Sequence, residues 1–291
     1  MTRISIGLPV YNGEECLERA ITSILDQTYF DFELIISDNA SVDQTWAICE
    51  KYSRKDNRIR IVRQKFNVGA MGNFTSVAAI AKSEFFIWAA HDDYWDRNRL
   101  LNLYNSVANR PGVAAFGVLR CVMRNGGEAR HLAHNCAFSY DYKWNFLRRL
   151  VYYIVPENLG KANVIYALWP HADIVRCLPS LRDASFGDCF FVHELLIGCA
   201  VIDSHEAVMY KQLSDKEAQR PSAIGVATAI LLPLRAAVTC FVISFGYIKM
   251  ISRFEKILYF FLLIVKVPLF VISTIISRQN NREYFLTKGA A

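Results

Sequence analysis

The sequence lacks the glycine-rich motifs of the best-known nucleotide-binding enzymes. No G-x-G-x-x-G follows the first predicted strand and no G-x-x-x-x-G-K-[ST] occurs anywhere, which argues against a classical dinucleotide-binding fold and a P-loop. Charged residues are also scarce, at 21%, whereas hydrophobic residues reach 53%. This composition, without internal repeats or low-complexity segments, excludes a disordered chain, a collagen-like fibre and a coiled coil.

Cysteine pairs with metal-binding or redox spacing are absent as well. The chain has eight cysteines, but none forms a C-x-x-C pair and no interval is typical of metal ligands. We interpret them as free thiols in a reducing compartment. The N-terminus shows no signal peptide, so we expect the body of the protein in the cytoplasm.

Excess positive charge is missing from most of the chain and is concentrated at its C-terminal end. Residues 1–210 hold 22 Lys and Arg against 23 Asp and Glu, whereas residues 211–291 hold 11 against 4, a net +7. In the second segment these charges are interleaved with long apolar runs. This pattern favours attachment to an anionic bilayer and argues against a nucleic-acid-binding face.

Two apolar runs in this tail, 224–248 and 257–276, are each long enough to span a bilayer. Each holds one basic residue, Arg235 or Lys266, with a proline two residues away. A charge at the bilayer centre costs about 2.5–3.5 kcal/mol on the insertion scale, and proline kinks a helix. We therefore expect a membrane-associated helical hairpin whose helices lie in or dip into the cytoplasmic leaflet. Two true spans and a buried soluble helical pair are the alternatives.

The first hundred residues alternate between short apolar runs and segments with helical periodicity. Strands are predicted at 4–10, 32–37, 59–62 and 85–89, and helices at 14–27, 43–52 and 73–81. This order predicts βαβ units and a mainly parallel sheet. Further along the chain, 113–120 predicts a strand, 190–197 predicts a helix, and Asn125-Gly126-Gly127 favours a hairpin.

Polar and turn-forming residues follow each of the first four strands. Open α/β sheets bind ligands outside the carboxyl ends of their strands, so we expect the functional site at this edge. The segments concerned are P-V-Y-N-G-E (9–14), S-D-N-A-S-V-D (37–43), N-V-G-A-M-G-N (67–73) and H-D-D-Y-W (91–95).

These four motifs, in this order, resemble those of the family 2 glycosyltransferases, which are inverting, nucleotide-sugar-dependent enzymes with the GT-A fold. The resemblance is strong over about residues 4–100 and weaker over 160–215. It implies an α/β fold with a Rossmann-like, mixed but mainly parallel sheet flanked by helices. The implied division is a catalytic domain at 1–223, with a nucleotide-binding half (1–108) and an acceptor-binding half (109–223), followed by the tail at 224–291.

The resemblance assigns nucleotide-sugar contacts to the loops after the strands. Asp38 matches the family's base-binding aspartate, with an Asx-turn or a helix cap as the alternative. Glu14 could equally be an acid in a helix's first turn, and we interpret Asp43 as such an acid, favoured by the helix dipole. Arg63 and Lys65 are either diphosphate contacts or part of a solvated basic loop. The expected nucleotide-sugar-binding residues are Pro9, Tyr11, Glu14, Asp38, Asn67, Asn73, His91 and Asp92.

The stretch His91-Asp92-Asp93 departs from the usual family motif, because Ala90 stands where an aspartate is common. Asp92 matches the metal-binding carboxylate, which implies Mg²⁺ or Mn²⁺ as a cofactor that neutralises the leaving diphosphate. His91 is a second candidate ligand and would shift the preference toward Mn²⁺. Asp93 has an alternative reading, as the cap of a helix at 97–107.

Asp188 matches the family's catalytic base, which deprotonates the acceptor hydroxyl. Its alternative is a helix N-cap, and Gly187 stands where a glutamate is common. Lys211 is a candidate diphosphate contact. Tyr140, Tyr142 and Trp144 could stack on an acceptor sugar or belong to a local core.

These features predict an inverting, metal-assisted glycosyltransferase at the cytoplasmic face of the cell membrane. The expected partners are a nucleotide-sugar donor, a polyprenyl-diphosphate-linked glycan acceptor and the cytoplasmic leaflet, with no nucleic acid. Surface-polysaccharide or glycoconjugate assembly is the implied context. The alternative is a catalytically silent, membrane-bound nucleotide-sugar-binding scaffold with the same fold, which Ala90 and Gly187 favour.

Overall fold

A computed structural model of the chain describes residues 2–123, 140–155, 161–181 and 187–213, and the single residue Pro268. The strands are β1 (Ile4–Val10), β2 (Phe32–Asp38), β3 (Ile59–Arg63), β4 (Phe85–Trp88), β5 (Tyr94–Trp95), β6 (Val113–Met123), β7 (Trp169–Pro170) and β8 (Ala200–Leu213). The helices are α1 (Leu17–Leu25), α2 (Thr45–Ser53), α3 (Ala70–Ile80), α4 (Arg99–Val107), α5 (Asn145–Ile154), α6 (His171–Cys177) and α7 (Gly187–Gly198). Two 3₁₀ helices cover Lys161–Tyr166 and Leu178–Ser180.

The main sheet has the order β3-β2-β1-β4-β7. Its first four strands are parallel, and β7 runs antiparallel to β4. Val10 pairs with Asp38, and Asp38 pairs with Arg63, so three strands end side by side at one edge. The predicted α/β fold with a mainly parallel sheet is confirmed.

A second, three-stranded sheet has the order β5-β8-β6. β8 runs parallel to β6 and antiparallel to β5, where Tyr94 pairs with Tyr210. A bridge between Ala115 and Leu168 connects β6 to the segment that leads into β7. This sheet carries the end of β8 to the loop after β4, which no local sequence pattern predicts.

Helices cover both faces of the main sheet. One core contains apolar side chains of α1, α2 and α4, and the other contains those of α3, α5, α6 and α7. Along β2, Leu34 and Ile36 point into the first core, and Ile35 points into the second. Because successive side chains of a strand alternate between faces, the continuous apolar run of β2 is what a sheet buried on both sides requires.

The predicted strand bounds agree with the structure to within one residue for β1 to β4. Three helices start later than expected: those predicted at 14–27, 43–52 and 97–107 begin at Leu17, Thr45 and Arg99. Cysteines among the described residues are thiols and not disulfide partners.

The predicted hairpin at 125–127 and the apolar runs of the tail lie outside the described residues. Of the helices that the structure does describe, none is long and apolar enough to cross a membrane. The division of the chain at residues 108 and 223 stays a prediction.

Candidate active site at the carboxyl edge of the sheet

A polar cavity of about 330 Å³ lies at the carboxyl edge of the main sheet. Its walls come from the loop after β1, the loop after β2, the loop after β4 and the end of β8. Four carboxylate side chains line it, so the cavity suits a cation together with an anionic ligand. The lining residues are Asn12, Gly13, Glu14, Glu15, Cys16, Asp43, His91, Asp92 and Gln212.

The loop after β1 is held by the loop after β2 through backbone and side-chain hydrogen bonds. Asn12 N donates to Ser41 Oγ (2.9 Å), and Val42 N donates to Asn12 Oδ1 (3.0 Å). Gly13 N donates to Thr45 Oγ1 (2.8 Å). Asn12 adopts a left-handed conformation with φ 49°, which asparagine tolerates better than most residues. The two loops therefore form one unit.

Glu14 and Asp43 exchange contacts across the same two loops. Glu14 N donates to Asp43 Oδ2 (3.2 Å), and Gln44 N donates to Glu14 Oε2 (2.9 Å). Partial burial raises the pKa of Asp43, but hydrogen bonds from Thr45 and Glu14 outweigh it and leave the pKa lowered. Asp43 precedes α2 and Glu14 precedes α1, so the interpretation of either as a first-turn acid is wrong.

Asp38 is fully buried at the end of β2. Its Oδ1 accepts a hydrogen bond from Ser41 N (3.1 Å), as the Asx-turn alternative expects. Its Oδ2 lies 3.1 Å from Arg63 Nε, but the N–H does not point at it, and Oδ2 has no hydrogen-bond partner. Arg63 instead donates to Ser41 O (3.0 Å). Asp38 Oδ2 thus lies buried beside the Arg63 guanidinium, and its contact with a nucleobase stays a prediction.

The buried Asn73 side chain is occupied by the ends of β1 and β2. Its Nδ2 donates to Ser37 O (2.9 Å) and Val10 O (3.3 Å), and Ser37 Oγ donates to its Oδ1 (2.6 Å). Asn73 therefore fixes the sheet edge, and a direct ligand contact by its side chain stays a prediction.

Asn39, which the sequence reasoning missed, organises the loop before α3. It is buried, its Nδ2 donates to Asn67 Oδ1 (2.9 Å), and its Oδ1 accepts from Val68 N (2.9 Å). Asn67 Oδ1 also accepts from Gly69 N (2.9 Å). Gly69 has φ 81°, a left-handed conformation that favours glycine. The predicted loop residues Asn67 and Gly69 are thus brought beside β2.

The remaining residues for which the sequence predicts a ligand contact differ in their exposure to solvent. Pro9 is buried within β1, whereas Tyr11 is 43% exposed beyond its end. Lys65 is exposed. Tyr140 belongs to the core and packs edge-on against Tyr152 with ring centroids 5.3 Å apart, while Tyr142 and Trp144 are exposed.

His91 and Asp92 enter the cavity together. His91 packs against Gly13, where a Cβ atom would lie 2.7 Å from His91 Cδ2. Asp92 is half-buried and its backbone carbonyl accepts a hydrogen bond from Arg19. Glycine at position 13 thus allows the first and fourth strand-end loops to meet.

Asp93 points away from the cavity and is buried. Its Oδ1 accepts a hydrogen bond from Gln212 N (3.1 Å) at the end of β8. Burial raises its pKa to about 7, and the neighbouring charge of Asp92 adds to this, while Lys211 and Arg99 act in the opposite direction. The helix that follows begins after Asn98, so the capping alternative for Asp93 is wrong.

Asp188 lies in the first turn of α7, inside the helix rather than at its cap, and its Oδ1 accepts from Cys189 N (2.8 Å). Burial raises the pKa of the Tyr166 phenol. The negative charges of Asp93, Asp92 and Asp188 raise it further. Tyr166 is therefore within electrostatic range of both the His91-Asp92-Asp93 loop and Asp188.

Two basic residues lie near this group of acids. Lys211 Nζ donates to Asn163 Oδ1 (3.4 Å), on the 3₁₀ helix that carries Tyr166. Arg99 is buried and donates to Ala207 O (2.9 Å) and Tyr166 O (3.2 Å). Burial lowers the pKa of Arg99 to about 9, against the opposing charge of Asp93. Lys211 is half-buried and is not among the residues that line the cavity, so its diphosphate contact stays a prediction.

The side chains in the cavity suit a divalent cation that takes most of its coordinating oxygens from a bound nucleotide and from water. Across the described ranges, no group of three or more His, Cys, Asp and Glu could hold a metal by itself. Mg²⁺ commonly takes one or two carboxylates plus substrate phosphates and water. Asp92 supplies one such carboxylate in the cavity, and His91 is adjacent to it.

A family model described as glycosyl transferase family 2 matches residues 5–167. Glycosyltransferase GlyG of Streptococcus pneumoniae is 31% identical over 114 residues, which cover 39% of this chain and 38% of that protein. The UDP-Glc:alpha-D-GlcNAc-diphosphoundecaprenol beta-1,3-glucosyltransferase WfaP of Escherichia coli is 34% identical over 102 residues, covering 35% of this chain and 40% of WfaP. The matched part thus spans about two fifths of each relative's length.

Solved structures support the same architecture. Residues 1–349 of TarS from S. aureus, in complex with UDP-GlcNAc, superpose with a TM-score of 0.62 at 16% identity, covering 91% of this chain and 72% of that one. The mannosyltransferase PcManGT from Pyrobaculum calidifontis, in complex with GDP-Man and Mn²⁺, gives 0.58 at 16% identity, covering 100% and 76%. At these identities the likeness shows the fold alone.

Proposed function

This chain belongs to glycosyl transferase family 2, and we propose that it is a glycosyltransferase that moves a sugar, with inversion, from a nucleotide sugar to a lipid-linked glycan. The observation that carries the proposal is the polar cavity at the carboxyl edge of the sheet, where His91 and Asp92 meet the loops after β1 and β2. Carboxylates at the two ends of the reacting bonds are what this chemistry needs: one at the leaving diphosphate and one at the attacking hydroxyl.

The nucleotide lies along the loops after β1, β2 and β3 in this proposal. Asp38 Oδ2 is an acceptor without a hydrogen-bond partner, and a nucleobase N–H is a donor of the right kind. Tyr11 follows Val10, the residue that pairs with Asp38, and its exposed ring offers a surface for the base. The cavity next to His91 and Asp92 receives the diphosphate, with Lys211 as a basic contact.

Asp92 is the protein carboxylate for Mg²⁺ or Mn²⁺, and a bound cation neutralises the negative charge that develops on the leaving nucleoside diphosphate. His91 adjoins Asp92 in the cavity wall. Asp93 sits beneath them as a buried support bonded to β8. Because Ala90 stands where the family motif commonly has an aspartate, Asp92 is the one carboxylate of this motif that faces the cavity.

Asp188 acts as the general base. The acceptor hydroxyl gives its proton to the Asp188 carboxylate as its oxygen bonds to the anomeric carbon. The bond from that carbon to the diphosphate oxygen breaks on the opposite side, so the configuration inverts. The Cys189 N–H bond to Oδ1 orients the carboxylate and leaves Oδ2 for the hydroxyl.

The acceptor is proposed from the relatives and from the tail. WfaP is described as acting on a diphosphoundecaprenol-linked sugar, and the Campylobacter jejuni relative acts on a diNAcBac-PP-undecaprenol glycan. The apolar, basic segment 224–291 matches a substrate in the cytoplasmic leaflet. Surface-polysaccharide or glycoconjugate assembly at the membrane is therefore the proposed setting.

The test combines binding and turnover of the detergent-solubilised chain. UDP, GDP, UDP-glucose and GDP-mannose are titrated by calorimetry with and without Mn²⁺. Asp92→Ala should abolish the Mn²⁺-dependent gain in nucleotide affinity, and Asp188→Asn should keep that gain but lose transfer. Glu84→Gln, at the opposite edge of the sheet in a surface ion pair with Arg3, is the matched control and should behave as wild type.

Near wild-type transfer by Asp188→Asn would refute the assigned base. Tight, metal-dependent binding without any transfer or donor hydrolysis would favour the silent scaffold instead.

A further inference from the structure

Side chains on one side of α1, and in the turn after it, bond to the backbone of residues 95–100. These residues follow the His91-Asp92-Asp93 loop. Ser23 Oγ accepts a hydrogen bond from Trp95 N (3.1 Å). Gln27 Nε2 donates to Asp96 O (2.7 Å), and its Oε1 accepts from Leu100 N (2.8 Å). Residues spaced by four lie on one side of a helix, so α1 supports this segment along its length.

Arg19 is one turn before Ser23 and continues this row of contacts to Asp92. Its Nη2 donates to the backbone carbonyl of Asp92 (3.1 Å) and to Oε1 of Gln212. Its guanidinium carbon lies 4.6 Å from the centre of the Tyr94 ring. Guanidinium groups stack on aromatic faces and donate several hydrogen bonds in one plane, which fits all three contacts at once.

Gln212 closes the arrangement from β8. Its backbone N–H donates to Asp93 Oδ1 (3.1 Å), while its side-chain oxygen accepts from Arg19. Tyr210, two residues earlier on β8, stacks on Tyr94 with ring centroids 4.8 Å apart and planes 10° apart. Asp92 is thus held through its carbonyl by the Arg19 side chain, and Asp93 is held through its carboxylate by the Gln212 backbone.

We propose that Arg19 is a positioning residue for Asp92. Together with Gln212, Arg19 fixes the orientation of the Asp92 carboxylate, which binds the metal. This inference rests on the proposed function, because it takes Asp92 as the metal ligand. Arg19 acts through the Asp92 backbone, so its loss leaves the nucleobase loops after β1 and β2 unchanged. Partners that orient a metal ligand typically change metal affinity about 10- to 100-fold when they are removed.

The experiment measures how Mn²⁺ changes the affinity for UDP. UDP is titrated by calorimetry at a series of Mn²⁺ concentrations against the full detergent-solubilised chain. Arg19→Met should raise the Mn²⁺ concentration for the half-maximal effect at least about tenfold, with the metal-free UDP affinity within about twofold of wild type. Arg19→Lys, which keeps the charge without the planar fork, should fall between the two.

Four further variants make the result decisive. Glu18→Gln removes an exposed neighbour on α1 that pairs with Lys51, and should match wild type. Gln212→Leu removes one acceptor of Arg19 but keeps the Arg19 bond to Asp92 O, so it should have a smaller effect in the same direction. The double variant should be no worse than Arg19→Met alone, because the Gln212 side chain acts on Asp92 through Arg19. Asp92→Asn should lose the Mn²⁺ effect altogether.

The outcomes separate the two proposals. Mn²⁺ could change the UDP affinity of Arg19→Met as in wild type, while Asp92→Asn loses this effect. That result overturns the role of Arg19 and leaves the proposed function standing. An equal loss of UDP affinity with and without Mn²⁺ in Arg19→Met also overturns it, since that is a general structural defect. Wild-type Mn²⁺ dependence in Asp92→Asn refutes the metal role itself. A wild-type chain that binds neither UDP nor GDP, with or without Mn²⁺, overturns both proposals.

Discussion

Gly13 and His91 are in such close contact that a Cβ atom on residue 13 would lie 2.7 Å from His91 Cδ2. The same Cβ would lie 2.7 Å from a methyl group of Val10 in β1. The loop after β1 and the loop after β4 can therefore form one cavity wall only because residue 13 has no side chain.

Gly13→Ala should push His91 out of the cavity wall. Overpacking of this kind costs about 1–3 kcal/mol, so we expect that loss in the free energy of unfolding by urea denaturation, with weaker metal-dependent UDP binding. Gly72→Ala is the control, because its Cβ would meet Val68 at the milder distance of 3.2 Å. If the two variants bind UDP equally well, the contact does not shape the site.

Asn73→Ala should destabilise the sheet edge. Removing the side chain deletes the Nδ2 bonds to Ser37 O and Val10 O, although Val10 O keeps its bond from Asn39 N (2.9 Å). A buried polar group that loses its partner costs about 1–3 kcal/mol, so we expect a total loss of that order in urea unfolding. Asn67→Ala, on the exposed loop, should cost less. Unchanged stability with lost nucleotide binding would instead make Asn73 a ligand contact.

Asp93→Asn should change how stability depends on pH. The folded pKa of Asp93 is raised to about 7, so its protonated form stabilises the fold at low pH. That contribution is complete below about pH 4 and is lost as pH rises to about 7. Asparagine keeps the oxygen that accepts from Gln212 N without the charge.

In chelator-containing buffer, Asp93→Asn should therefore match wild type at pH 4 and exceed it at pH 8. The difference should be on the order of 4 kcal/mol, from about 1.4 kcal/mol per pKa unit. Asp56→Asn is the control with the opposite sign, because the Arg58 hydrogen bond lowers the pKa of Asp56 against its partial burial. Parallel stability curves for Asp93→Asn and wild type from pH 4 to 8 would contradict the raised pKa.

Lys161→Met should loosen α5. The buried Nζ of Lys161 donates to Tyr152 O (2.9 Å) and Val155 O (2.7 Å), at the carboxyl end of that helix. Losing the cation at a helix C-terminus and leaving carbonyls unsatisfied should cost about 2–4 kcal/mol. Since α5 packs on α7, we expect a lower kcat with donor affinity unchanged. Urea unfolding checks the loss of stability, and steady-state kinetics check the lower kcat. If the variant is as stable as wild type, Lys161 does not stabilise the carboxyl end of α5.

Much of the fold of the first hundred residues could be predicted because the sequence patterns that specify it are local. The strands from Ile4–Val10 to Phe85–Trp88 are continuous apolar runs, and a parallel sheet buried on both faces needs such runs. The strand ends then place Asp38 and Asp92 at one edge by the geometry of parallel strands alone. The prediction was weaker for helix starts: Glu14 and Asp43 are acids near a helix, but here they bond to each other's loops.

The sequence by itself determined the α/β class, the order of the first strands and the family motifs at their carboxyl ends. Tertiary structure alone decided which residues support those motifs. Arg19 and Gln212 are 193 positions apart, and Asp93 and Gln212 are 119 apart. Periodicity reports only on neighbours within a helix turn or a strand pleat, whereas these contacts exist because β8 joins a second sheet and ends beside the loop after β4.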